Sequence, residues 1–191
     1  MRRFDVFNGD ADGICALHQL RLAEPAQSEL VTGMKREIDL LRRVDAQAGD
    51  EVTVLDISLD RNRAALQRLL ARGVRVRWFD HHHAGAMPED PGLAATIDAS
   101  ERVCTSILVD RHLGGRFRRW AVVAAFGDNL LEPAAELAAS LGLDEGATRA
   151  LRELGTDLNY GACGETASDV LMPALETYRV VSRHRDPVSL R

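Results

Sequence analysis

Cysteine is scarce: the 191-residue chain has three, Cys15, Cys104 and Cys163, far apart and odd in number. That count excludes a disulfide framework and the spacing fits no zinc knuckle, so the thiols are expected to be reduced and packed as small hydrophobes. Long apolar runs are missing as well. Nothing approaches the roughly 18 consecutive apolar residues of a membrane span, and the opening MRRFDVF has no apolar run of secretory length behind its arginines. A cytoplasmic, unanchored protein with no membrane partner is the expectation. A basic excess is also lacking, with 24 Lys and Arg against 29 Asp and Glu and a formal net charge of -5. Broad, non-specific contact with a nucleic-acid backbone is thereby disfavoured, while a local basic groove remains compatible. There is no internal repeat and no low-complexity tract.

What is present is an ordinary globular composition, 46% hydrophobic and 28% charged, suited to one domain of moderate size or slightly more. Short apolar runs alternate with stretches of helical period, the pattern of an α/β protein whose parallel sheet has helices on both faces. Strands are expected at 4-7, 30-33, 51-57, 74-80 and 93-98, and helices at 13-23, 35-44 and 60-72. From about residue 103 the pattern is helical almost throughout, near 103-113, 118-126, 133-141, 145-154 and 166-182. Segment 84-92, with two prolines and two glycines, reads as a loop.

The acids fall at telling places on this frame. Asp10 and Asp12 follow the first strand, Asp56 closes the third and Asp80 the fourth. In open α/β sheets ligands bind outside the carboxyl ends of the strands, so these acids converge on one site. Unneutralised, they would repel one another strongly, and a divalent cation is the economical remedy. The run His81, His82, His83 follows Asp80 directly and offers imidazole nitrogen beside carboxylate oxygen. Such mixed ligands without thiolate favour manganese, iron, cobalt or magnesium over structural zinc. Two ions sharing a carboxylate are a recurrent device for phosphate-ester hydrolysis, and Asp56, isolated in VLDIS, is the natural bridge.

Together, GDADG at 9-13, the acid of VLDIS, the DHH of WFDHHHAG and the later AFGDN resemble, in order and spacing, the four motifs of the DHH phosphoesterase superfamily. That superfamily includes RecJ-type exonucleases, nanoRNases, cyclic-dinucleotide phosphodiesterases and family II inorganic pyrophosphatases. The resemblance implies two Mn2+ ions, with Mg2+ or Co2+ also suited, Asp10 and Asp12 on different ions and Asp56 bridging them. His81 and Asp128 would complete the Asp12 side, and Asp80 would support a neighbouring histidine or the metal itself. His82 would face the scissile phosphate as a contact or a proton donor, with His83 extra to the motif. Asn8 stands where many members carry a charged His or Asp ligand, so the ion beside it would be held more weakly.

The implied reaction is hydrolysis of phosphodiester or phosphomonoester bonds, with a phosphate-containing small molecule or short single-stranded nucleic acid as partner. Cleavage of a phosphoanhydride, as in the pyrophosphatase relatives, is the alternative within enzymes. A nucleotide- or metal-binding module of weakened catalysis is the alternative outside them. The resemblance covers residues 1-130, with 131-191 expected to be a helical connector. The family's usual C-terminal substrate-binding domain, with its glycine-rich motif ending in His, is not visible: NYGACGET at 159-166 lacks such a His.

Other candidates favour structural readings. His18, His112 and His184 carry no supporting pattern, and Thr105 and Ser106 are expected to cap the helix that follows them. The charged stretch 35-43 reads as a solvated helix face, and GGRFRRW at 114-120 as a solvated turn with a packed Trp120. Gly13 is expected to let backbone approach the site closely.

Overall fold

The computed structural model describes residues 1–161 and 172–190. Cys163, the expected helical stretch 166–171 and most of the 159–166 motif lie outside the described residues.

Five strands, β1 (Arg3–Asn8), β2 (Glu29–Gly33), β3 (Glu51–Leu55), β4 (Arg75–Asp80) and β5 (Leu93–Ile97), form one parallel sheet in the order β2-β1-β3-β4-β5. Alternation along the strands builds two cores. Phe4, Val6, Val52, Val54, Val76 and Trp78 face one side, where α2 (Leu59–Ala71) and a 3-10 turn (Leu40–Arg43) cover them. Phe7, Leu55 and Phe79 face the other, against α1 (Ala11–Ala23), α3 (Thr105–His112) and α4 (Arg118–Gly127). The expected α/β architecture with helices on both faces is therefore the one found.

Beyond α4, helices α5 (Leu131–Ser140), α6 (Glu145–Gly161) and α7 (Ala174–Val181) place Ala134, Ala138, Leu151, Tyr178 and Val181 in the same core as Phe7 and Ile14. The α4–α6 crossing is close because both helices offer glycine. A Cβ on Gly155 would lie 2.2 Å from the Val123 carbonyl oxygen and 2.9 Å from the Gly127 nitrogen. Gly13 is equally constrained, since a Cβ there would lie 2.2 Å from the carbonyl oxygen of Asn8, which lets α1 start directly against the end of β1.

Three expectations need correction. Segment 35-44 is not a helix: only Leu40–Arg43 forms a short 3-10 turn. Side chains there take the backbone groups that a helix would use. Glu37 accepts the Met34 N–H at 2.8 Å, while Asn62 of α2 accepts from Leu41 at 3.2 Å and donates to the Ile38 carbonyl at 2.6 Å. Thr105 and Ser106 do not cap α3 either. Cys104 is the residue at the cap, without a side-chain hydrogen bond, and the N-terminal N–H groups are taken by Asp12 of α1.

Of the stretch 114-120 read as a solvated turn, only 114-117 is a turn, since Arg118 opens α4 and Phe117 is buried. The readings of a packed Trp120, a structural His18 and reduced, packed thiols agree with the fold. Trp120 is fully buried and donates to the Arg185 carbonyl at 3.1 Å. His18 is buried with Nε2 2.7 Å from the His184 carbonyl. Cys15 and Cys104 are buried free thiols, pushed up in pKa by burial. Among the described residues no helix is long and apolar enough to cross a membrane.

Candidate metal centre

The strand order reverses direction between β1 and β3, and at such a switch point the loops leaving adjacent strands part to form a crevice. Asn8 to Asp12, Asp56 and Asp80 to His82 all leave the sheet at that end, and α4 delivers Asp128 just past its last residue. Around them lies a cavity of about 340 Å3, whose walls include Asn8, Asp10, Asp56, His81, His82 and Asp128.

The two acids of DADG have different local duties. Asp10 caps α1, its Oδ1 accepting the N–H groups of Asp12 and Gly13 at 3.1 Å each. Its Oδ2 lies 3.0 Å from Nζ of Lys35. Asp12, fully buried, instead reaches across to α3 and accepts the Thr105 N–H on Oδ2 and the Ser106 N–H on Oδ1, both at 2.7 Å. Two fixed amide donors at a helix N-terminus hold this carboxylate in one orientation, and each oxygen keeps a further lone pair free.

Asp56 sits in the left-handed region, with φ of 58°. A non-glycine residue adopts that backbone at some expense, which is tolerated where the surroundings fix it for a purpose. The strained turn aims Asp56 back over the sheet, where Thr105 donates to Oδ1 at 3.3 Å. Burial, then the nearby Asp10, Asp12, Asp80 and Asp128, push its carboxyl well above the usual range. Asp128 is pushed up to about 6, by burial first and then by Asp12 and Asp10. The site thus holds more negative charge than the protein around it can neutralise.

His81 lies at the centre of that charge. Its Nδ1 is 3.1 Å from the Val103 carbonyl, an acceptor that requires Nδ1 to carry the proton. In the neutral ring Nε2 then presents its lone pair, and it does so 3.3 Å from Asp56 Oδ1, 3.8 Å from Asp128 Oδ2 and 4.0 Å from Asp12 Oδ2. Ligands at about 2.1 Å from one ion stand roughly 3 to 4 Å apart, so each of these separations suits a cation held between His81 and that carboxylate. A carbonyl on the other ring nitrogen is the usual support of a metal-binding imidazole. Among the described residues two groups bring ligand atoms within 4.8 Å of one another: Asp12, His81 and Asp128, and Asp56, His81 and His82.

The other candidates lie around this nucleus. Asp80 is fully buried and binds His82, Oδ1 to Nδ1 at 2.6 Å, while its Oδ2 has no hydrogen-bond partner among the described residues. That bond raises the pKa of His82 against the effect of burial. Asn8 is buried, donates from Nδ2 to the Lys35 carbonyl at 3.3 Å, and leaves Oδ1 without a partner among the described residues. His83 is exposed, accepts from the Gly85 N–H and does not line the cavity.

Two charged cavity residues escaped the sequence reading. Lys35 follows β2, so the strand-end rule that found the acids reaches it too, but the expected helix over 35-44 disguised it. Arg61 stands in the first turn of α2, exposed, on the cavity wall. Its only sequence signal is that it follows Asp56 by a short turn.

No protein-family model and no curated protein matches the chain. Solved structures do. A crystal structure of exonuclease RecJ bound to manganese aligns with a TM-score of 0.52 at 20% identity, over 99% of this chain and 55% of that one. RecJ from Thermus thermophilus in complex with Mn2+ aligns with a TM-score of 0.47 at 19% identity, over 95% and 35%. An uncharacterized protein from Helicobacter pylori G27 gives 0.43 at 14%, over 95% and 68%. The first of these shows a shared fold, in agreement with the motif resemblance, and the chain spans about half the length of that RecJ structure.

Proposed function

We propose that the chain is a divalent-metal-dependent phosphoesterase, manganese-preferring, that hydrolyses phosphodiester or phosphomonoester bonds of short oligonucleotides, nucleotides or cyclic dinucleotides. The observation that carries this reading is His81, whose Nδ1 is engaged by a carbonyl while Nε2 faces Asp56, Asp128 and Asp12. A lone pair aimed at three carboxylates is favourable only around a cation or a proton. The fold shared with a manganese-bound RecJ exonuclease supports the same reading.

In this account Asp12, Asp56, His81 and Asp128 hold the metal, which when bound supplies a water of lowered pKa and a Lewis acid for the phosphoryl oxygens. Thr105 and Ser106 keep Asp12 in place from the N-terminus of α3. Asp80 fixes the tautomer of His82, whose ring lines the cavity and is half-exposed. With its pKa raised by Asp80, His82 is suited to contact the phosphate or to protonate the leaving oxygen. Arg61 at the cavity wall supplies positive charge for a phosphate oxygen in an otherwise acidic molecule. Residues 1-130 then carry the chemistry, and the helices beyond brace α4 and with it Asp128.

The test is a substrate panel for the manganese-loaded protein: a short oligonucleotide, a mononucleotide bisphosphate, a cyclic dinucleotide and pyrophosphate. Manganese-dependent release of nucleotide or phosphate from the first three is expected. Turnover of pyrophosphate alone would select phosphoanhydride cleavage, and nucleotide binding without turnover across several metals would select a binding module.

A further inference from the structure

Lys35 occupies a place in the site that the motif resemblance assigns to a metal. Its ammonium lies 3.0 Å from Asp10 Oδ2 and 3.9 Å from Asp128 Oδ1. Asn159 of α6 accepts from it at 3.0 Å, and Asn8 holds the Lys35 main chain through the carbonyl at 3.3 Å, so both ends of the residue are tied down. We propose that Lys35 is a built-in cation of this centre, standing where a second divalent ion would sit on the Asp10 side, so that the chain binds one divalent ion. This inference rests on the metal-dependent reading above.

The coordinating capacity of Asp10 is largely taken up. Its Oδ1 already accepts two main-chain N–H groups, and Oδ2 meets the lysine. Asp10 belongs to neither group of ligand atoms close enough to share an ion among the described residues, whereas Asp12, His81 and Asp128 do. Charge points the same way. Asn8 is neutral where a charged ligand was expected, and Lys35 adds a positive charge, so Asp10 is balanced by the protein itself. A divalent ion entering there would meet an ammonium and an amide. On the Asp12 side it meets Asp12, Asp56 and Asp128 around one imidazole, with no lysine or arginine among the described residues as near to Asp12 or Asp56.

An ammonium also suits the chemistry. It is a point charge with three donors, able to hold a phosphate oxygen without the exchange that a loosely bound metal undergoes. Lys35 would thus supply permanently part of the charge neutralisation that two-ion sites draw from their second metal. Asn8 Oδ1, buried at the same wall and without a partner among the described residues, offers an acceptor to a hydroxyl of the substrate.

The test is Mn2+ stoichiometry by calorimetric titration and by electron paramagnetic resonance of free Mn2+, on the full chain. The wild type is expected to bind one ion, and Lys35→Ala to bind a second, weaker one that Asp10→Asn in the same background removes. Lys35→Met, which keeps the volume without the charge, should behave as Lys35→Ala and carries the test if the alanine variant fails to fold. Two ions on the wild type, or one ion on both lysine variants, would overturn the inference while leaving metal dependence intact. No ion on the wild type would overturn both.

Discussion

Nε2 of His81 lies 3.3 Å from Oδ1 of Asp56, one delivered by the end of β4 and the other by a left-handed turn after β3. Both groups are fixed from behind, His81 by the Val103 carbonyl and Asp56 by Thr105. That pairing makes Asp56→Asn the sharpest single change. Asn tolerates the positive φ and keeps the shape, so only the charge is lost. The variant should bind Mn2+ at least about tenfold more weakly, in line with the effect of removing supporting groups at metal sites. Without metal it should be more stable than the wild type, because the raised pKa of Asp56 marks an ionised form that its neighbours oppose. Thermal unfolding with and without Mn2+ checks both statements, and an undiminished Mn2+-induced rise in Tm would refute the first.

The same charge excess sets the pH dependence of the metal-free protein. Asp128 titrates at about 6 in the folded chain, above the roughly 3.9 of an unfolded aspartate. A carboxyl with a raised folded pKa binds its proton more tightly when folded, so its contribution is complete below the unfolded pKa and is lost as pH rises through the folded one. Asp56 shifts in the same direction. The Tm of chelator-treated protein should therefore fall as pH rises from about 4 through about 6, the interval between the unfolded and folded pKa of Asp128, and saturating Mn2+ should flatten that slope. A metal-free Tm that climbs over this range would contradict the electrostatic account.

How much of this was legible beforehand follows from what each signal depends on. The parallel sheet came through because alternation and strand-end polarity are local, and the acids of GDADG, VLDIS and DHHH mark strand ends by residue type alone. Lys35 was hidden because 35-44 has helical spacing, while Asn62, distant in sequence, takes backbone groups that a helix would have used. The capping of α3 by Asp12 was equally out of reach, since it joins two helices far apart in the chain. Cap preferences read locally assign that role to Thr105 or Ser106.

His82 and Asp80 give a kinetic prediction. His82→Asn should lower kcat by about 10²- to 10⁴-fold, the usual range for losing a proton donor. Asp80→Asn should act through the imidazole, moving the basic limb of the kcat profile to lower pH because the bond from Asp80 is what raises the His82 pKa. A variant whose limb stays in place would show that Asp80 has another role.

Gly155 links the helical remainder to the site. A methyl group there meets the Val123 carbonyl oxygen at 2.2 Å, so α4 and α6 must part. Gly155→Ala is expected to destabilise by about 1–3 kcal/mol from overpacking, reduced by up to ~1 kcal/mol of helix propensity. Because α4 carries Asp128 at its end, Mn2+ affinity should fall as well. Denaturant unfolding and metal titration on the same variant separate the two effects, and an unchanged stability would mean that the crossing is looser than its geometry implies.

The central claim is that Asp56 and its partners hold a metal that performs phosphoester hydrolysis. The most direct measurement is the Mn2+-dependent hydrolysis of a short oligonucleotide and a cyclic dinucleotide by wild-type protein and Asp56→Asn, purified identically and free of contaminating nuclease. The account predicts turnover by the wild type that requires Mn2+ and falls by at least about 10- to 100-fold in the variant. Equal rates in both, or a wild-type rate indifferent to Mn2+ removal, would contradict it.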